Sequence, residues 1–130
     1  MYGVTITELI DKLGLKNMTP ELDTDSIMLV HPDVNRPALQ LTGFFDHFDQ
    51  ERVQIIGYVE HAFLETLTPE RRREVYEKLI ASKIPCLLYS RGMTPGESVL
   101  ELCSYYGVPC MVSDKKSSVL MAEVIRWLNV

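Results

Sequence analysis

Residues 31 to 57 read HPDVNRPALQLTGFFDHFDQERVQIIG, and the end of that stretch decides the fold. Val53-Gln54-Ile55-Ile56 is a short, mostly apolar run closed by Gly57, which predicts a strand covered on both faces rather than one alternating between core and water. The 22 residues before it hold two prolines, six charged residues and three phenylalanines. Pro32 and Pro37 are expected to break any regular element between them. Pro37 also suits the first position of a helix carrying Leu39 and Leu41, with Gly43 as its stop. Phe44, Phe45 and Phe48 are expected to anchor the following loop to the core.

Downstream the same kind of strand recurs, with helices between. Ile84 to Tyr89 and Val108 to Val112 are apolar runs. Residues 60 to 67 predict a short helix, and Thr68-Pro69 opens a second one to about Ala81, with Val75, Tyr76, Leu79 and Ile80 on one face. Glu70, Arg73, Glu74, Glu77 and Lys78 form its mixed-charge, solvated face. Thr94-Pro95-Gly96-Glu97 reads as a capping box for a helix to Tyr106, stopped by Gly107. Ser117 or Ser118 is expected to cap a last helix bearing Leu120, Val124, Trp127 and Leu128. Upstream, Thr5 and Glu8 form a capping box for a helix over 6–13 ended by Gly14, residues 15–22 read as a connector, and 26–30 as a strand. Strands separated by helices pair in parallel through right-handed crossovers. The expected fold is a single α/β domain over residues 1–130, a three-layer sandwich around a mainly parallel sheet.

Composition narrows the function classes. In 130 residues the net charge is -5, which argues against nucleic acid and anionic membrane as partners, since both ask for a basic footprint. Three cysteines, an odd number without a C-x-x-C pair, argue against a disulfide framework and for a reducing, cytoplasmic setting. The opening residues show no signal peptide, and no apolar run approaches the roughly 20 residues of a membrane span. No glycine precedes a lysine, so the chain holds no P-loop, and no G-x-G occurs. His31, His47 and His61 form no H-x-x-H, so no metal site is expected. Cys86, Cys103 and Cys110 read as small core hydrophobes rather than nucleophiles.

A parallel sheet binds ligands beyond the carboxyl ends of its strands. There Arg91, Asp114 and Lys115 are the candidates, with Arg91 and Lys115 able to hold an anion against a helix N-terminus. The alternative is that these are ordinary polar loops. Arg36 is expected to pin its loop by pairing with Asp33 or Asp46. Asp46 and Asp49 could serve as an acid/base pair, but nothing supplies them with a nucleophile.

Three blocks together carry a resemblance. They are Asn35-Arg36-Pro37, Leu39-Gln40-Leu41-Thr42-Gly43-Phe44-Phe45, and Arg52-Val53-Gln54-Ile55-Ile56-Gly57, followed by Glu60, Leu67-Thr68-Pro69-Glu70-Arg71-Arg72, Ile84-Pro85-Cys86 and Arg91-Gly92. This pattern resembles the amino-terminal domain of the bacterial HPr kinase/phosphorylase family, over essentially the whole chain. Ala122 to Asn129 looks like the family's helix leading into its catalytic domain. The resemblance implies a fold similar to the substrate-binding domain of the Mur ligases. It implies a parent enzyme that phosphorylates a serine of the phosphocarrier HPr with ATP or pyrophosphate and magnesium, removes that phosphate by phosphorolysis, and so governs carbon catabolite repression. The P-loop and HPr-binding residues belong to a catalytic domain expected beyond residue 130, so this chain is read as a fragment without a catalytic residue or cofactor of its own. Asn35, Arg36, Pro37, Gly43 and Gly57 are then motif residues with structural roles. The implied partners are the attached catalytic domain and, through it, HPr. The family's hexamers form mainly through catalytic domains, which leaves homo-oligomerisation of this piece open. The alternative function is a stand-alone α/β sensor of a small anionic metabolite.

Overall fold

The computed structural model describes residues 3–46 and 48–129, so His47 lies outside the described residues. The chain starts with β1 (Val4–Thr5) and α1 (Ile6–Leu13). The capping box forms as expected: the Thr5 hydroxyl accepts from the Glu8 amide and the Glu8 carboxylate accepts from the Thr5 amide, both at 3.1 Å. Gly14, with φ 61°, ends the helix in the left-handed region.

Next come β2 (Lys16–Asn17), β3 (Met28–Leu29), β4 (Val34–Asn35), α2 (Ala38–Leu41), β5 (Val53–Ile56), α3 (Tyr58–Glu65) and α4 (Pro69–Ile80). β6 (Leu87–Tyr89), α5 (Glu97–Tyr106), β7 (Cys110–Val112) and α6 (Ser117–Leu128) complete the chain. The main sheet has the order β2-β7-β6-β5-β4; its last four strands are parallel and β2 joins antiparallel at the far edge. β1 and β3 form a separate antiparallel pair.

The buried strands work as the sequence predicts. Register places Ile56, Tyr89 and Val112 in one row across the sheet and Ile55, Leu88 and Met111 in the next. Alternate residues point to opposite faces, so the first row packs under α2 to α5 with Leu64, Leu79 and Leu102. The second row packs under α1 and α6 with Leu9, Leu120 and Val124. The result is an α/β sandwich around a mixed, mostly parallel sheet.

Several local expectations need correction. Pro32 and Pro37 bracket a strand instead of excluding one: β4 is the outer strand of the sheet, where a residue without an amide donor costs no ladder bond. The connector at 15–22 contains β2. It also supplies Thr19, fully buried, whose hydroxyl accepts from the Cys110 amide at 3.0 Å. The 26–30 strand exists as β3 but stands outside the main sheet. Pro37 caps α2 rather than opening it, and Gly43, with φ 101°, turns the chain just after the helix ends. Thr94 caps nothing, because Gly96 takes the extended cap conformation and α5 starts two residues after the expected cap would require. Lys116, not a serine, occupies the cap of α6. Of the three phenylalanines expected to anchor the loop, Phe48 packs against the core and meets Phe45 edge to face at 5.4 Å, whereas Phe44 stays half exposed. Cys86, Cys103 and Cys110 are free and buried in the core.

Candidate functional site

The carboxyl ends of β4, β5, β6 and β7 lie at one edge of the sheet and gather the motif residues. Asn35 ends β4, and its side-chain amide donates to Gln54 Oε1 at 2.6 Å and to Gln40 Oε1 at 3.1 Å. Gln54 is fully buried and donates in turn to the Arg52 carbonyl at 2.8 Å. Asn35 thereby spends both of its amide hydrogens on tying β4 to β5 and α2.

Arg36 reaches over the end of β5 to Glu60 on α3, with Nε 2.9 Å and Nη2 2.8 Å from Oε1. The same oxygen accepts the Gly57 amide at 2.6 Å. Arg36 thus pairs with Glu60 and not with Asp33 or Asp46, the expected partners; Asp33 lies against Arg52 instead, at 3.7 Å. Parallel pairing of β4 with β5 carries Arg36 to a carboxylate 24 residues away, which sequence proximity could not reveal. Gly57 is required by close approach. A Cβ there would lie 2.5 Å from Ser117 Oγ and would meet the Arg36 guanidinium. Ser117 Oγ and Ser90 Oγ are 2.7 Å apart, linking the start of α6 to the end of β6.

The three predicted ligand residues stand in two neighbouring loops. β6 leads to α5 on one face of the sheet, and β7 to α6 on the other. The divergence makes a crevice of the type that binds ligands in α/β sheets. The loops partly fill it themselves: the Arg91 amide donates to the Lys115 carbonyl and the Gly92 amide to the Ser113 carbonyl, each at 2.8 Å. Those amides are not free to cradle an anion. The Lys115 ammonium is held by Glu123 at 2.7 Å. Arg91 sits in the left-handed region at φ 58°, with its side chain in solvent. Asp114 faces a cavity of about 200 Å³, lined also by Lys16, Gly92 and Thr94. Lys16 escapes a reading of the sequence because a two-residue strand such as β2 leaves no periodic signal, and Thr94 because it reads as a helix cap.

The site offers charge and hydrogen bonds but no activated nucleophile. Burial pushes the Cys86 thiol up to about 12, and the hydrogen bond that the Cys110 thiol donates to Cys103, together with burial, raises Cys110 well above the ordinary thiol range. Such thiols stay protonated at neutral pH and are poor nucleophiles. Among the described residues no group of three or more His, Cys, Asp or Glu side chains is placed to hold a metal ion. Nor is any helix among them long and apolar enough to cross a membrane.

Residues 4–128 match the family model described as HPr Serine kinase N terminus. An HPr kinase/phosphorylase of Lachnoclostridium phytofermentans is 48% identical over 130 residues, which is 100% of this chain and 42% of that protein. One from Caldicellulosiruptor bescii is 37% identical over 129 residues, 99% of this chain and 42% of the relative. The chain thus spans about two fifths of the length of the curated relatives it matches. Among solved structures, the CBS and DRTGG domains of the regulatory region of Clostridium perfringens pyrophosphatase, complexed with the activator diadenosine tetraphosphate, superpose with a TM-score of 0.59 at 18% identity. That match covers 90% of this chain and 44% of the other, and at such identity it speaks for the fold alone. The family model and the relatives agree, and the chain belongs to the HPr serine kinase N-terminal family.

Proposed function

We propose that this chain is the noncatalytic accessory or regulatory domain of a cytoplasmic kinase/phosphorylase. That enzyme would phosphorylate and dephosphorylate a serine of HPr in carbon catabolite repression. ATP or pyrophosphate and magnesium would be bound by an attached catalytic domain, which is also the proposed route to HPr. The observation that carries the reading is the family match over residues 4–128. The internal use of the motif supports it: Asn35, Arg36 and Gly57 spend their polar groups and close contacts on holding elements together, and leave none arranged for catalysis. The kinship in fold with the substrate-binding domain of Mur ligases rests on the family resemblance. The test is the gene itself. A G-x-x-x-x-G-K-[ST] encoded within a few dozen codons after Val130 supports the reading, and a stop codon there removes it.

A second reading is favoured by the cavity beside Asp114, where Lys16 supplies a cation. There the domain would sense a small anionic metabolite. A thermal-shift screen with sugar phosphates and nucleotides tests it. A shift abolished by Lys16→Ala supports the site, and a shift unchanged by that substitution, or no shift, removes it.

A further inference from the structure

α6 starts beside Ser90 at the carboxyl edge of the sheet and runs back along it for 12 residues, about 18 Å. Its end lies at the opposite edge, where the Asn129 side chain donates to the Pro32 carbonyl at 2.9 Å, just before β4. The chain therefore leaves this domain at the amino ends of the strands, away from the crevice. At that same edge lies an open groove of about 440 Å³. Met28 and Val30 form one wall; Ile84, Pro85, Tyr106 and Val108, which precede β6 and β7, form the other. Met28 is 52% exposed and Val30 44%. The apolar face of α6 cannot cover them, because Leu120 and Val124 are already spent in the core.

We infer that this groove is the docking site for the polypeptide that follows α6 in the full-length relatives, received through apolar side chains. Two observations select that occupant over others. The exit of α6 adjoins the groove, since Pro32 is two residues from Val30. The curated relatives also carry more than half of their length outside the region matched by this chain, so polypeptide is available there. A groove of this character left in water is a liability that an attached segment removes. The exposed Glu51 and Lys83 also line it, so the groove sets charged groups beside apolar ones, as protein interfaces do. The inference rests on the reading of the chain as an accessory domain.

The test compares two proteins by amide hydrogen exchange. One is the 130-residue chain; the other continues it with the remainder of the Lachnoclostridium relative. The amides of residues 28–30 and 106–108 are expected to exchange at least about tenfold more slowly in the longer protein, with residues 90–92 and 113–116 unchanged. Val30→Asp is expected to abolish that protection while leaving the melting temperature of the 130-residue chain as it was. Equal exchange in the two proteins overturns the inference. So does protection that appears in the 130-residue chain on raising its concentration, which would assign the groove to a second copy. HPr phosphorylation by the longer protein is scored separately. Activity without protection sinks the docking site and spares the function, and protection without activity does the reverse.

Discussion

Arg36 and Glu60 meet over the carboxyl end of β5, 2.8 Å apart, with Glu60 only 3% exposed and Arg36 29%. A buried carboxylate stripped of its partner is costly, whereas a pair removed together is not. Arg36→Met should lower stability by about 3 kcal/mol. Arg36→Lys should recover only part of this, because a single ammonium cannot reproduce the paired Nε and Nη2 donors. Arg36→Met with Glu60→Gln should recover most of it, since the carboxamide still accepts from Gly57. Urea denaturation of the four proteins measures these differences. A loss below about 1 kcal/mol for Arg36→Met would contradict a structural role for the pair.

Gly57→Ala inserts a methyl group against Ser117 Oγ and the Arg36 guanidinium. Overpacking of this kind costs roughly 1–3 kcal/mol. Adding Ser117→Gly should relieve part of the loss, because it removes one of the two groups that the new Cβ meets. Thermal melts of the single and double variants decide this, and additive losses would place the strain elsewhere.

Asn35→Asp keeps the shape and inverts the hydrogen bonding, setting a carboxylate against the side-chain oxygens of Gln54 and Gln40. The expected cost is about 2–3 kcal/mol, for two lost donors and an unsatisfied buried acceptor. The effect should shrink at low pH, where the carboxyl regains one donor. Stability measured at pH 4 and pH 7 checks the sign.

Alkaline pH should unfold the domain early. Burial raises the Tyr76 hydroxyl to about 12, against the opposing effect of its bond from Tyr89, and raises Cys86 to about 12. Both groups stay neutral when folded and ionise more readily when unfolded. Their stabilisation is complete below the unfolded values near 9 to 10 and is lost as pH rises toward 12. The size is on the order of a few kcal/mol for each group. The melting temperature should therefore be level from pH 7 to 9 and fall above it. The same burial predicts that a thiol reagent at pH 8 modifies none of the three cysteines in the native protein and all three in urea. A reactive native thiol would overturn the reading of them as core hydrophobes.

The elements legible in the sequence were those with several coincident signals. α1 has both halves of a capping box and a glycine stop, and β5, β6 and β7 are apolar runs long enough to be recognised. β2 and β4 are two residues long and are created by pairing with β7 and β5, so no local periodicity announces them. The partner of Arg36 was hidden for the same reason. It becomes visible only when Asn35 is placed opposite Gln54, which sets residue 36 and the Gly57-to-Glu60 turn at one edge. Around the crevice, sequence reasoning located Arg91, Asp114 and Lys115 in adjoining loops but could not foresee that Lys115 is tied to Glu123 or that Lys16 arrives from the other end of the chain.

The most direct test of the proposed function is phosphate transfer from radiolabelled ATP to purified HPr, assayed for the 130-residue chain beside the protein continued with the remainder of the Lachnoclostridium relative. Label is expected on a serine of HPr from the longer protein and none from the 130-residue chain, at any concentration of ATP. Labelling of HPr by the 130-residue chain alone, lost on Arg91→Ala, would contradict it and place the chemistry in this domain.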